Sequence, residues 1–247
     1  MIGRLKKDIQ VLISDTNSVY EMGISNLMYK FQDLAALHSQ DFGFDNLTLR
    51  EKSNAFWVIL RCKIHIDKTP KFLDNISVET WPNMPKYVRC NRNFVIRDAD
   101  GQPIIRALTE WALLDADTHG VRKFSSTIYP MDEEHLKDTA MDEPFRLGRM
   151  DFGPEDLVYT SKVMSSDIDV SQHTNNVTYC RYLLNAFDSS FFSNNKITDF
   201  EINYRHESRE GDLFEVYKKE TPDGITLQAS NPDGRVYASA LIKYEPR

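Results

Sequence analysis

The chain has 247 residues, of which 41% are hydrophobic and 11% aromatic, enough for one large folded domain or two of ordinary size. A formal net charge of −7 argues against nucleic acid as the main partner. The three cysteines lack metal or redox spacing, and no apolar run approaches the ~20 residues of a membrane span, so we expect a cytoplasmic protein.

The first half of the chain predicts a strand, a long helix and then four strands. Apolar residues recur with helical periodicity over residues 22–38, and Gly43 follows as a stop signal. Apolar runs predict strands at residues 8–14, 56–66, 76–82, 92–98 and 104–115. Asp98 and Gly101 predict a hairpin turn between the last two strands.

An acidic stretch without periodicity, residues 131–156, predicts a linker between a domain at 1–130 and a domain at 157–247. The pattern then returns, with a strand near 158–163 and a helix over 176–192. Four more strands are predicted at 198–206, 212–219, 224–230 and 235–244, with PDG turns between the last of them.

The two halves resemble copies of one unit, since LDNISVETW (73–81) matches EGDLFEVYK (210–218) in having a turn carboxylate before a strand. A helix followed by antiparallel strands predicts an α+β fold with a curved sheet around one long helix. This is the hot-dog arrangement, here expected twice in tandem. The pairs that then align are Asp15 with Asp169, Asn17 with Ser171, Val19 with His173, Asp74 with Asp212, and Thr69 with Glu207. Only the second half would then carry a site.

Candidate catalytic side chains are most closely grouped in the second half, in the stretch DIDVSQHTNNVTYCRYLLNAF. Asp169, Ser171 and His173 alternate, so an extended backbone would direct all three to one face. Asn175 or Asn176 can cap the following helix. The backbone N–H groups at that helix end are candidate donors to a developing oxyanion.

The same stretch resembles the signature of acyl-acyl carrier protein thioesterases, D-x-N-x-H-x-N-N. INYRHESREGD (202–212) is similar to that family's Y-R-x-E-C segment, and WVILRCKIHI and TWP resemble its first domain. The resemblance implies hydrolysis of the thioester between a fatty acyl chain and acyl carrier protein. It places catalysis in the second domain and acyl-chain binding largely in the first. Thiolate is a good leaving group, so this chemistry requires no metal or cofactor.

The resemblance implies catalytic roles for Asp169, His173 and Glu207. Either carboxylate could activate water, and His173 would position the water or the thioester. Ser171 stands where the family has an asparagine, and it would support a neighbouring carboxylate or water by a hydrogen bond. Ser208 stands where the family often has a cysteine directly after the glutamate. A nucleophilic triad of Ser171, His173 and Asp169 is disfavoured, because alternate side chains on a strand run parallel.

Other functions stay open on sequence alone: an acyl-CoA thioesterase, a dehydratase of 3-hydroxyacyl thioesters, or a non-catalytic acyl-binding protein. A homodimer is also open. An acidic carrier protein would need a basic docking patch, and two sets of residues are candidates, Lys63, Lys68 and Lys71, or Lys86, Arg89 and Arg92. The remaining histidines show no metal-ligand spacing; they are His38, His65, His119, His135 and His206.

Overall fold

One antiparallel sheet dominates the structure, a computed structural model that describes residues 1–247. The strands are β1 (Leu5–Gln10), β2 (Ala55–Ile66), β3 (Asn75–Pro82), β4 (Cys90–Arg97), β5 (Pro103–Asp115), β6 (Val121–Arg122), β7 (Leu157–Lys162), β8 (Asn195–Tyr204), β9 (Leu213–Thr221), β10 (Gly224–Ser230) and β11 (Val236–Pro246). Their order is β1-β3-β4-β5-β2-β8-β11-β10-β9-β7, and β6 pairs with β5. The pairing of β2 with β8 therefore joins the strands of the two halves.

Four helices accompany the sheet: α1 (Ile24–Asp41), α2 (Asn46–Ser53), α3 (Asn176–Leu184) and α4 (Ser189–Asn194). The apolar stripe of α1 includes the buried residues Leu27, Phe31 and Leu34. It shares one core of 36 buried residues with α3 and with strands of both halves. The predicted α+β class and the antiparallel strand order are confirmed. None of the four helices combines the length and the apolar character that a membrane span needs.

Two local predictions are wrong, and one helix was not predicted. The helix expected over 176–192 is broken, because Asp188 accepts a hydrogen bond from the Phe191 N–H and starts α4. Residues 46–53 form α2, which Asp45 caps in the same way. The strand expected over 8–14 ends at Gln10, and a 3-10 turn follows at Ile13–Asp15.

The segment 131–156 packs against the sheet and is not a free linker. Lys63, which alternates along β2 with core residues and so faces the other side of the sheet, is buried and donates to Glu143. The buried carboxylate of Glu201 accepts hydrogen bonds from the N–H groups of Arg146 and Leu147. The segment thus satisfies polar groups that would otherwise be buried without partners.

Candidate active site

Residues 169–173 form a tight turn, so the extended conformation expected for them is wrong. The Asp169 N–H donates to the His173 carbonyl at 2.9 Å, and Gln172 has a φ of 64°. The carboxylate Oδ1 of Asp169 accepts from the N–H of Ser171 at 2.8 Å and from its Oγ at 2.5 Å. Asp169 therefore stabilises the turn, and the exposed Ser171 is its partner there.

His173 and Glu207 lie together although 34 positions separate them in the chain. Nε2 of His173 is 3.1 Å from Oε2 of Glu207. That nitrogen is buried without a well-aligned hydrogen bond, so the contact is close but the oxygen lies off the N–H direction. The His173 side chain is 13% exposed and that of Glu207 is 42% exposed. The Asp169 carboxylate forms no ion pair or hydrogen bond with the side chain of either residue, so two of the three expected catalytic groups meet directly.

The loop that carries Glu207 is fixed by its neighbour Ser208, which is completely buried. Its hydroxyl lies 2.7 Å from Oγ1 of Thr174 and 3.0 Å from the Tyr179 hydroxyl. Its N–H donates to the Tyr179 oxygen at 2.8 Å. Burial raises the pKa of Tyr179, so the phenol stays neutral at physiological pH. Sequence reasoning missed the polar role of Tyr179, because its position on the buried stripe of α3 indicates only a core residue.

The N-terminus of α3 lies beside this pair, since its first residues follow His173 directly. Oδ1 of Asn175 accepts from the Val177 N–H and caps the helix. The next residue, Asn176, has a first-turn N–H that makes no hydrogen bond within the chain. The Asn175 side chain is thus engaged in capping, and the Asn176 N–H is the open donor.

A residue of the other half also reaches the site, and sequence reasoning missed it. His119 follows β5, and its Nδ1 is 4.0 Å from Oε2 of Glu207. Its ring stands at 75° to the His173 ring, with 6.2 Å between the centroids. Nothing in the local pattern around His119 signals this contact, because it depends on how the two halves assemble.

Backbone hydrogen bonds correct the alignment of the two halves by two positions. In the first half, the Asn17 N–H donates to the Glu21 carbonyl at 2.8 Å. In the second half, the Asp169 N–H donates to the His173 carbonyl in the same way, at 2.9 Å. Asp15 therefore corresponds to Asp167, Asn17 to Asp169, and Glu21 to His173. The sequence alignment erred because several Asp residues cap similar turns.

The strand side of the alignment agrees with the expected pairing. Met22 N–H donates to the Pro70 carbonyl, as Thr174 N–H donates to that of Ser208. The preceding residues, Thr69 and Glu207, therefore correspond. The first half thus has no imidazole at the first position and no carboxylate at the second.

A cavity of about 190 Å³ lies at the corresponding place between the halves, lined by Glu21 and Thr69 of the first half and Arg247 of the second among others. Glu21 is 5% exposed, and its two oxygens accept from the Arg247 guanidinium at 2.8 and 2.5 Å. This carboxylate is therefore occupied by a bidentate ion pair rather than free for proton transfer.

The basic residues expected to dock a carrier protein are largely engaged elsewhere. Lys63 and Arg92 are each 5% exposed, so the expectation that they line a docking surface is wrong. Most of the others are in ion pairs, namely Lys68 with Asp98, Lys71 with Glu21 and Arg89 with Glu110, which leaves Lys86 without one. No three His, Cys, Asp or Glu side chains are grouped to hold a metal ion.

Comparison with known families covers both halves of the chain. The model of the acyl-ACP thioesterase N-terminal domain matches residues 4–130, and that of the C-terminal domain matches residues 154–246. The chain belongs to the acyl-ACP thioesterase family. The recognition made from the signature residues is confirmed.

Curated members of the thioesterase family are distant relatives. An oleoyl-acyl carrier protein thioesterase of Arabidopsis thaliana is 23% identical over 242 residues, covering 89% of this chain and 66% of its own length. A palmitoyl-acyl carrier protein thioesterase of the same plant is 26% identical over 223 residues, covering 83% and 54%. The chain thus spans roughly half to two thirds of the length of these relatives.

Solved thioesterase structures share the whole fold. An acyl-ACP thioesterase from Bacteroides thetaiotaomicron superposes with a TM-score of 0.87 at 23% identity, covering 98% of both chains. The 12:0-ACP thioesterase from Umbellularia californica gives 0.87 at 17% identity, covering 99% of this chain and 98% of its own. The predicted tandem hot-dog fold is confirmed.

Proposed function

We propose that this chain hydrolyses the thioester between a fatty acyl chain and acyl carrier protein, releasing the free fatty acid and so ending chain elongation. The observation that carries the proposal is the contact of His173 with Glu207 beside the N-terminus of α3, in a chain of this family. The partly exposed carboxylate can accept a proton from the attacking water, and the histidine can position the water or the thioester.

Glu207 is the better of the two candidate bases. Its carboxylate is 42% exposed, so water can reach it, and it touches His173. The Asp169 carboxylate already accepts two hydrogen bonds from Ser171. We assign Asp169 and Ser171 to holding the turn that presents His173, and His173 to positioning the water or the thioester.

In the proposed reaction, water adds to the thioester carbonyl carbon while Glu207 accepts its proton. The carbonyl oxygen becomes an oxyanion, for which the Asn176 N–H at the positive end of α3 is the donor. The C–S bond then breaks, and the departing thiolate takes the proton from Glu207. The products are one carboxylic acid and one thiol, and Glu207 returns to its starting state.

The two halves would divide the work. We propose that residues 1–130 hold the acyl chain and residues 157–247 supply the catalytic groups, with residues 131–156 connecting them across the sheet. In support, the first half has Glu21 and Thr69 where the second has His173 and Glu207. A cytoplasmic location and a homodimer stay predictions, which cell fractionation and light scattering can test.

Acyl carrier protein is the proposed partner, because the relatives named above act on thioesters of that carrier. An acyl-CoA thioesterase would use the same residues, and an acyl-binding protein would bind without turnover. Release of free thiol from acyl carrier protein thioesters of several chain lengths, and from the matching acyl-CoA thioesters, distinguishes the three. We expect higher kcat/KM with the carrier protein; higher values with CoA would favour the second function, and binding without thiol release the third.

A further inference from the structure

His119 lies in a turn that is firmly held on its own side. The Asp115 carboxylate accepts from the Thr118 N–H at 3.0 Å and from the Arg122 guanidinium at 2.9 Å, and the His119 N–H donates to the Asp115 carbonyl. The hydrogen bond from the Thr118 N–H is the main reason that the pKa of Asp115 falls to about 2. The turn therefore keeps its anchor at any pH at which the protein would be assayed.

The His119 ring projects from this turn to the opposite half. Phe56 packs edge-on against it, with 5.7 Å between the ring centroids. The ring also stands edge-on to that of His173, and its Nδ1 is 4.0 Å from Oε2 of Glu207. The Glu207 carboxylate thus lies between two imidazoles, one from each half. With no substrate bound, such contacts are often longer than in the reacting complex.

A related contact occurs in the first half, although its carboxylate, Glu21, corresponds to His173 and not to Glu207. β5 ends at Asp115, opposite the first residue of β2, and β11 ends at Pro246, opposite the first residue of β8. The residue after Pro246 is Arg247, which crosses to the other half and binds Glu21. In each half, the chain just beyond the last long strand gives a basic side chain to a carboxylate of the partner half.

We propose that His119 is a positioning residue of the active site, which directs the Glu207 carboxylate toward His173 and completes the site between the halves. The proposal rests on the hydrolytic function proposed above. His119 acts through Glu207, since Nδ1 faces that carboxylate and the ring has no other polar partner in the site. Without it, the half-exposed Glu207 side chain is free to rotate into solvent.

Three substitutions at His119 separate positioning from packing. His119→Ala removes the ring, His119→Asn keeps an N–H at the place of Nδ1, and His119→Gln places one near Nε2 instead. We expect kcat to fall roughly 10- to 100-fold in His119→Ala, the effect of one hydrogen bond to a charged group, with KM within about twofold. His119→Asn should recover more activity than His119→Gln.

Two further variants serve as controls. His65→Ala removes another imidazole of similar exposure, 38% against 45%, whose Nδ1 lies 2.8 Å from Asp199. It should leave kcat unchanged. In a Glu207→Gln background, His119→Ala should add little further loss, because both changes remove one function.

The results that would overturn the proposal are a His119→Ala kcat within about twofold of wild type, or losses that multiply in the double variant. Crystal structures of wild type and His119→Ala give a readout that needs no activity. We expect Glu207 to leave His173 in the variant, and an unmoved carboxylate would refute positioning. If wild type releases no thiol at all, the proposed function fails, and the crystal structures alone decide the role of His119.

Discussion

The Tyr179 hydroxyl accepts a hydrogen bond from the Ser208 N–H at 2.8 Å and lies 3.0 Å from the Ser208 hydroxyl. Both residues are buried, so the bonds are shielded from water. Because Ser208 directly follows Glu207, this pair sets the position of the candidate base relative to α3. The place where a cysteine is usual in the family is thus a structural anchor in this chain.

Tyr179→Phe tests that anchor. The change leaves the Ser208 N–H buried without an acceptor, which we expect to lower the free energy of unfolding by about 1–3 kcal/mol. Turnover should fall as well, because the Glu207 loop loses its support. Urea unfolding and kcat measure the two effects. Tyr217→Phe is the matched control, since that hydroxyl bonds only to Glu215, two positions away on the same strand. This change should affect neither quantity appreciably.

Ser171→Ala should have a small effect. It removes the hydroxyl bond to Asp169, worth about 0.5–1.5 kcal/mol, while the backbone N–H bond of the turn remains. We expect roughly a 2- to 13-fold drop in turnover. Ser171→Asn should be tolerated because the side chain is exposed. A loss of several orders of magnitude, with an acyl group trapped on wild type in a mass spectrum, would instead identify Ser171 as a nucleophile.

The pH dependence of stability should depend on His38. Burial, and after it the charge of Arg92, lower the pKa of His38 from 6.5 to about 4. Between these values the unfolded chain binds a proton that the folded protein does not, so stability falls as pH drops through this window. The full loss is on the order of 3 kcal/mol. In His38→Asn, which keeps an acceptor for Arg92, the free energy of unfolding should fall less from pH 6.5 to pH 4.5. Parallel curves for the two proteins would contradict this.

Arg247→Met should destabilise the fold without changing turnover. It leaves the buried Glu21 carboxylate with only Lys71, at 4.0 Å, for compensation. We expect a loss of about 2–3 kcal/mol, below the full value for a buried pair because Arg247 is partly exposed. Adding Glu21→Gln should restore part of it, and urea unfolding of the two single variants and the double variant completes the cycle.

Periodicity predicted the long helix, the strands and their hairpins, because those patterns depend on which faces are buried. It did not predict the turn at 169–173. Alternation of Asp169, Ser171 and His173 is also what a capped turn gives, and the positive φ of Gln172 has no glycine to signal it. The break between α3 and α4 was missed because the apolar pattern continues across it, although Asp188 is a typical helix N-cap residue.

The residues of the candidate site could be predicted where they share a motif and not where they meet through assembly. His173 and Glu207 lie in two short motifs and were both found. His119 was missed, because its approach to Glu207 depends on how the two halves join through the pairing of β2 with β8. Val19 was aligned with His173 in place of Glu21, because the repeat aligns by backbone hydrogen bonds, which side-chain identity alone does not reveal.

The most direct test of the account is the initial rate of thiol release from acyl carrier protein thioesters by wild type, His173→Ala and Glu207→Gln. Glu207→Gln keeps the shape of the side chain and removes its ability to accept a proton. We expect each variant to lose about 10²-fold or more in turnover while its unfolding curve stays close to that of wild type. Near-normal thiol release by a folded Glu207→Gln variant would contradict the assignment of Glu207 as the base.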